Sequence, residues 1–215
     1  MRQNNKPSPK KNTALTNAEK SCNKRWRAVE PVPTDVAGTA CADESITTTH
    51  AKASMDGIEF LTAQHRKLEG QFADALAAKD AATRRKLLAG VGDLLMVHIA
   101  SEEEVFYPAV KAARTEDILL ESLEEHLSLK RLLADLLALD PSGETFEPKL
   151  KVLAEQGEHH HEEEEEGLFP KVRKALDEKA LKRLGEEMLA LQQRMEEAGS
   201  PRNTAAEQTD EAAPL

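Results

Sequence analysis

His98-Ile-Ala-Ser-Glu102-Glu-Glu-Val-Phe-Tyr-Pro108 and His160-His-Glu-Glu-Glu164-Glu-Glu-Gly-Leu-Phe-Pro170 are two copies of one pattern. Each has a histidine, a glutamate four residues on, two more glutamates, a spacer, two large apolar residues and a proline. The copies are 62 residues apart. A single histidine precedes each of them, His65 by 33 residues and His126 by 34. The unit is a helix with one histidine, a turn, and a helix with His-x-x-x-Glu, and it occurs twice. Such a repeat is hard to obtain from composition alone.

Around these residues the apolar period is helical. Ile58, Leu61, His65, Leu68 and Phe72 fall on one face. Asp80 is a candidate cap for a second helix through Leu87, Val91, Leu94, Leu95, His98 and Val105, and Thr115 for a third through Leu119, Leu123, His126, Leu129, Leu133 and Leu137. Asp140-Pro141-Ser142-Gly143 marks a turn. A fourth helix runs from about Phe146 to Phe169, and a shorter fifth spans 177–197. Aromatics are 3% of the 215 residues, and Leu and Ala far outnumber Ile and Val, which argues against strands. The expected fold is all-α: an up-down-up-down four-helix bundle with an extra C-terminal helix.

Residues four apart on a helix share a face, so His98 stands over Glu102 and His160 over Glu164. All four histidines lie on the apolar stripes. A carboxylate there faces a dry core, and burying it without a partner costs several kcal/mol or more. His65, His98, Glu102, His126, His160 and Glu164, pointing inward from four helices, are satisfied together by metal. Imidazole with carboxylate suits iron, then manganese, better than thiolate-loving metals. A lone histidine on an apolar face is usually a core residue, but here four recur in register. The neighbouring carboxylates are chemically alike, and only rotation of about 100° per residue separates them. It places Glu102 on the His98 face and turns Glu103 and Glu104 toward the flank and solvent, with Glu164, Glu165 and Glu166 repeating that order. His159 and His161 are read as exposed, Phe106 and Phe169 as core, and Tyr107 as a packing residue.

Farther out the composition changes. Residues 1–30 carry eight basic residues against Glu19 and Glu30, although the whole chain has a net charge of −10. Residues 1–50, with His50 and the only tryptophan, Trp26, are read as a disordered basic arm, and 199–215 as a solvated tail. The charge balance argues against nucleic acid as the main partner. No apolar run is long enough to span a bilayer, and the N-terminus lacks the apolar region of a secretory signal. Cys22 and Cys41 cannot staple a domain of this size, and they fit a reducing cytoplasm.

Over roughly residues 54–175 the chain resembles the hemerythrin-like, HHE cation-binding domain family. The resemblance rests on His65, on His98-x-x-x-Glu102 ending in Phe-Tyr-Pro, and on their second copies. It implies a four-helix bundle around two non-haem iron ions. His65 and His98 would bind one iron, His126 and His160 the other, and Glu102 and Glu164 would bridge them, leaving room for O₂ or another small ligand. Oxygen-carrying members have a second histidine one turn from the third-helix ligand, where this chain has Ser122 and Lys130. They also have an aspartate five residues after the fourth-helix histidine, where this chain offers Glu164 at four or Glu165 at five. These departures imply a more open centre, suited to sensing O₂ or nitric oxide, handling peroxide or holding iron. The first reading is thus a non-enzymatic di-iron protein. The alternatives are a di-iron enzyme with peroxidase-like or ferroxidase-like activity and a metal-free helical interaction module. The sequence names no protein partner.

Overall fold

The computed structural model describes residues 55–111 and 115–215. The arm over 1–50, with its cysteines, His50 and Trp26, lies outside the described residues. Among the described residues there is no strand, and the fold is all-α as expected. Helix α1 spans Gly57–Ala77 and α2 spans Ala81–Ser101. A π-helical turn, Glu102–Phe106, and a short stem, Tyr107–Val110, prolong α2. Helix α3 spans Glu116–Ala138 and α4 spans Phe146–Glu163. Helix α4 is likewise prolonged by a π turn, Glu164–Leu168, and a stem, Phe169–Ala175. Helix α5 is Glu178–Ala198.

Local chemistry sets these boundaries. Asp56 accepts from the Glu59 amide while Glu59 bonds back to the Asp56 amide, a reciprocal cap on α1. Asp80 caps α2 through the Thr83 amide. Thr115 stands at the start of α3, but its hydroxyl donates backward to the Val110 carbonyl and does not cap the helix. After α3 the Ser142 amide bonds the Asp140 side chain and the Gly143 amide bonds the Asp140 carbonyl, closing the expected turn. A proline, Pro108 or Pro170, stands two residues past the end of each π turn. Proline has no amide hydrogen and crowds the carbonyl four residues back, so the preceding turn widens. The Tyr107 and Phe169 amides accordingly reach the carbonyls of Glu102 and Glu164, five residues earlier.

Contacts run α1–α2, α2–α3, α3–α4 and α4–α1, which closes a ring of four helices. Two dry clusters fill it. One holds Leu68, Phe72, Leu95, Leu129, Leu133 and Leu153. The other holds Leu61, Phe106, Tyr107, Leu123, Leu168 and Phe169. On every helix the inward histidine falls between a residue of one cluster and a residue of the other, so the polar layer is enclosed from both ends. Helix α5 lies against α1 and α2.

The C-terminal stretch read as a solvated tail folds instead. Pro201–Gln208 forms a 3-10 helix across α2 and α3. Ala205 is fully buried in the first cluster, Arg202 pairs with Asp93 at 2.5 Å, and the Arg131 guanidinium donates to the Thr209 and Asp210 carbonyls. The polar composition of 199–215 hid this, because a few small and apolar side chains, aided by backbone bonds to Arg131, suffice to dock it.

Candidate metal centre

The structure brings all six sequence-selected residues into one layer. His65, His98, Glu102, His126, His160 and Glu164 are each at most 1% exposed. Their inner atoms converge. Glu102 Oε2 lies 3.3 Å from His98 Nε2 and 3.2 Å from His126 Nε2. Glu102 Oε1 is 4.0 Å from His65 Nε2. Glu164 Oε2 lies 3.4 Å from His65 Nε2 and 3.9 Å from His160 Nε2. Each carboxylate thus stands between the histidines of both copies, and the Nε2 atoms of His126 and His160 are 3.1 Å apart.

These separations leave atoms without partners. His65 Nε2, His98 Nε2, both oxygens of Glu102 and Glu164 Oε2 are buried and make no hydrogen bond. An unpaired buried donor or acceptor costs about 1–3 kcal/mol, and a charged one more. The chemistry of the set fits a cation. Ligands about 2.1 Å from one ion and at right angles to each other stand about 3 Å apart, close to the spacing here. Two overlapping groups offer such a cage: His65, His98, Glu102 and Glu164, and Glu102, His126 and His160.

The outer nitrogens are held as well. His65 Nδ1 meets Glu165 Oε1 at 2.8 Å, and His98 Nδ1 meets Gln64 Oε1 at 3.1 Å. His126 Nδ1 meets Glu103 Oε1 at 3.1 Å, and His160 Nδ1 meets Glu125 Oε2 at 2.8 Å. An acceptor on Nδ1 keeps the proton there and aims the Nε2 lone pair at the centre. The braces have supports of their own. Lys130 Nζ donates to both oxygens of Glu103 at 2.8 Å, Arg66 pairs with Glu165, and the Gln64 amide donates to Gln192 of α5 at 3.2 Å.

Sequence reasoning missed this outer layer. Glu103 and Glu165 were expected to turn away, but the widened π turn rotates less per residue and leaves both half-inside, while Glu104 and Glu166 are exposed as expected. The repeat carried a signal for them. Gln64 and Glu125 each precede the lone histidine of their copy, and Glu103 and Glu165 each follow the inward glutamate. His159 is exposed as expected. His161 is not: it is buried at 2% exposure, because α4 is flanked by both α1 and α3 and its buried arc is wide enough for two successive residues. Tyr107 packs as expected, stacked on His126, but its hydroxyl also donates to Glu164 Oε1 at 2.9 Å.

Charge in the layer follows from burial and neighbours. Burial opposes a charge on Glu102, but His98, His126, His160 and His65 outweigh it and hold the carboxyl well below its ordinary range. Burial and the Glu102 charge raise Glu164. Burial and the two carboxylates push the Tyr107 phenol well above its ordinary range, so it stays a donor. Burial pushes the His98 ring well below its ordinary value, against the opposing pull of Glu102.

Comparison with known proteins gives a consistent picture. The family model described as "Hemerythrin HHE cation binding domain" matches residues 56–172. The crystal structure of a hemerythrin HHE cation binding domain-containing protein from Mycobacterium kansasii superposes with a TM-score of 0.63 at 22% identity, covering 72% of this chain and 99% of that one. At that identity the likeness speaks for the fold. A DNA nickase from Nostoc sp. is 27% identical over 104 residues, 48% of this chain, and the match spans 30% of the nickase's own length.

Proposed function

Since the chain belongs to the hemerythrin HHE cation-binding domain family, we propose that it holds two non-haem iron ions in the enclosed layer and offers them to O₂ or a related small ligand such as nitric oxide or peroxide. The observation that carries this reading is the set of inward atoms buried between two dry clusters, of which His65 Nε2, His98 Nε2, both oxygens of Glu102 and Glu164 Oε2 make no hydrogen bond. His65 and His98 would hold one ion, His126 and His160 the other, and Glu102 and Glu164 would lie between them. The ions supply redox chemistry and open coordination positions when bound. The residues orient the ligands, exclude bulk water and keep a phenolic proton at Tyr107 beside Glu164. A mixed set of imidazoles and carboxylates in six-coordinate geometry suits iron, and after it manganese, better than thiolate-loving metals. Metal binding without turnover is the simplest activity consistent with these residues, and a metal-free interaction module would have to keep Glu102 charged and buried with protonated histidines in place of the cations.

Among the described residues no helix is long and apolar enough to cross a membrane. The net charge of −10 disfavours nucleic acid as partner, and the setting we propose is the cytoplasm. The test is anaerobic purification of the untagged chain, metal quantification, and absorption spectra before and after air. Close to two irons per chain and a new near-ultraviolet charge-transfer band in air are expected. Stoichiometric zinc without iron, from iron-replete cells, would overturn the reading.

A further inference from the structure

His161 is a fifth buried histidine in the layer, and the bridging scheme above does not use it. Its counterpart in the first copy is Ile99, the residue after His98, which packs into an apolar cluster. The two copies therefore diverge at this position from an apolar residue to an imidazole. The His161 ring lies parallel to His65, with centroids 4.0 Å apart and planes at 8°, and edge-on to His98 at 5.1 Å. His65, His98 and His161 each offer a nitrogen atom, and these lie within 4.8 Å of one another.

The pairing of nitrogens separates a ligand from a filler. The other four inner histidines each spend Nδ1 on an acceptor and aim Nε2 inward. In His161 both nitrogens are buried and neither has a hydrogen-bond partner. As mere packing that arrangement is costly, because a buried polar atom without a partner loses its bond to water and gains nothing.

We propose that His161 supplies a third imidazole to the metal held by His65 and His98, so that the two ions have unequal ligand sets. The extra nitrogen falls on the ion of α1 and α2. At the other ion, one turn beyond His126, stands Lys130, whose ammonium is engaged with Glu103. The inference rests on the two-metal reading of the layer. It predicts that one ion is bound more tightly than the other and that His161 sets the difference.

The test is chelator competition on the full chain loaded anaerobically with iron(II), wild type against His161→Leu, with circular dichroism as the check on folding. The wild type should release its two equivalents at different chelator concentrations. In His161→Leu one equivalent should weaken at least tenfold, on the scale seen when a metal site's supporting residues are lost, and the other should stay as it was. In the Mössbauer spectrum of the ⁵⁷Fe-loaded variant, one quadrupole doublet should move or empty while the other is retained. Two equivalents unchanged in affinity and spectrum would overturn the role of His161 and leave the two-metal reading standing. A wild type that binds no metal would overturn both. Should His161→Leu not fold, the wild type decides. With zinc(II) as a diamagnetic probe in ¹⁵N-histidine-labelled protein, one nitrogen of His161 should shift on loading together with those of His65 and His98. A His161 signal that does not move in loaded protein would end the proposal.

Discussion

Glu103 Oε1 lies 3.1 Å from His126 Nδ1, although the residue before it, Glu102, is the one that faces the centre. Adjacent carboxylates thus have different tasks: one meets the metal positions and the next aims a histidine on the other half of the bundle. Glu164 and Glu165 repeat the arrangement toward His65. Substitutions should separate the tasks. Glu102→Ala should sharply lower iron per chain and the melting temperature of the loaded protein, because it removes a ligand from both ions and with it the stabilisation that bound metal gives. Glu103→Gln and Glu165→Gln should keep the stoichiometry at saturating iron but weaken affinity about 10–100-fold. Glu104→Ala should change neither. Equal losses in all of these variants would point to a diffuse acidic metal sink.

Protons stand in for the ions when metal is absent. His65 is pushed up from 6.5 to about 9: burial opposes its charge, but Glu102 and Glu164 outweigh it. His160 is pushed up to about 10 against the same opposition from burial, by Glu102, Glu125 and Glu164. Folded values above the unfolded one mean that this stabilisation is complete below the unfolded value and is lost as pH rises through the folded ones. The melting temperature of the metal-free chain should therefore fall from neutral pH toward pH 10. Metal entry at neutral pH must also expel protons. Calorimetry in buffers of different ionisation heat reads that release, and a buffer-independent binding enthalpy would show that both rings were already neutral.

Tyr107→Phe isolates one hydrogen bond. The ring keeps its stack on His126, while Glu164 loses the donor at 2.9 Å. The metal-free chain should lose about 1–3 kcal/mol, the usual cost of leaving a buried acceptor unpaired, as measured by urea unfolding. Iron stoichiometry should be retained, since the phenol is not among the converging ligand atoms.

Gly185 tests how α5 is seated. A Cβ there would lie 2.1 Å from the Met55 carbonyl oxygen, a backbone atom that cannot swing aside. Gly185→Ala should destabilise the chain by about 1–3 kcal/mol through overpacking, with iron per chain unchanged in the fraction that remains folded. A melting temperature equal to wild type would mean that α5 is free to shift on α1.

The inner layer was legible because an α-helix has a fixed rotation per residue: His98 and Glu102 had to share a face, and Leu61 and Leu68 had to carry His65 inward with them. The outer layer was not. Glu103 lies inside because Pro108 opens the turn that precedes it, and rotation counted on a regular helix turns that residue away. His161 was hidden by its neighbour: one inward residue on α4 was already assigned, and only the packing of α1 and α3 on both sides shows that the buried arc holds two. Ala205 was hidden by its polar context, since its burial depends on α2 and α3 and not on any period of its own.

Two of the four braces cross between copies. Glu103 reaches from α2 to α3 and Glu165 from α4 to α1, while Glu102 and Glu164 each stand between both pairs of histidines. Neither helical hairpin therefore contains a complete site. α1 with α2 has two histidines and lacks the brace for His65, and α3 with α4 lacks the brace for His126. Assembly of the centre and docking of the hairpins are one event, so the complete ligand set with its braces exists only in a chain whose two hairpins have closed on each other.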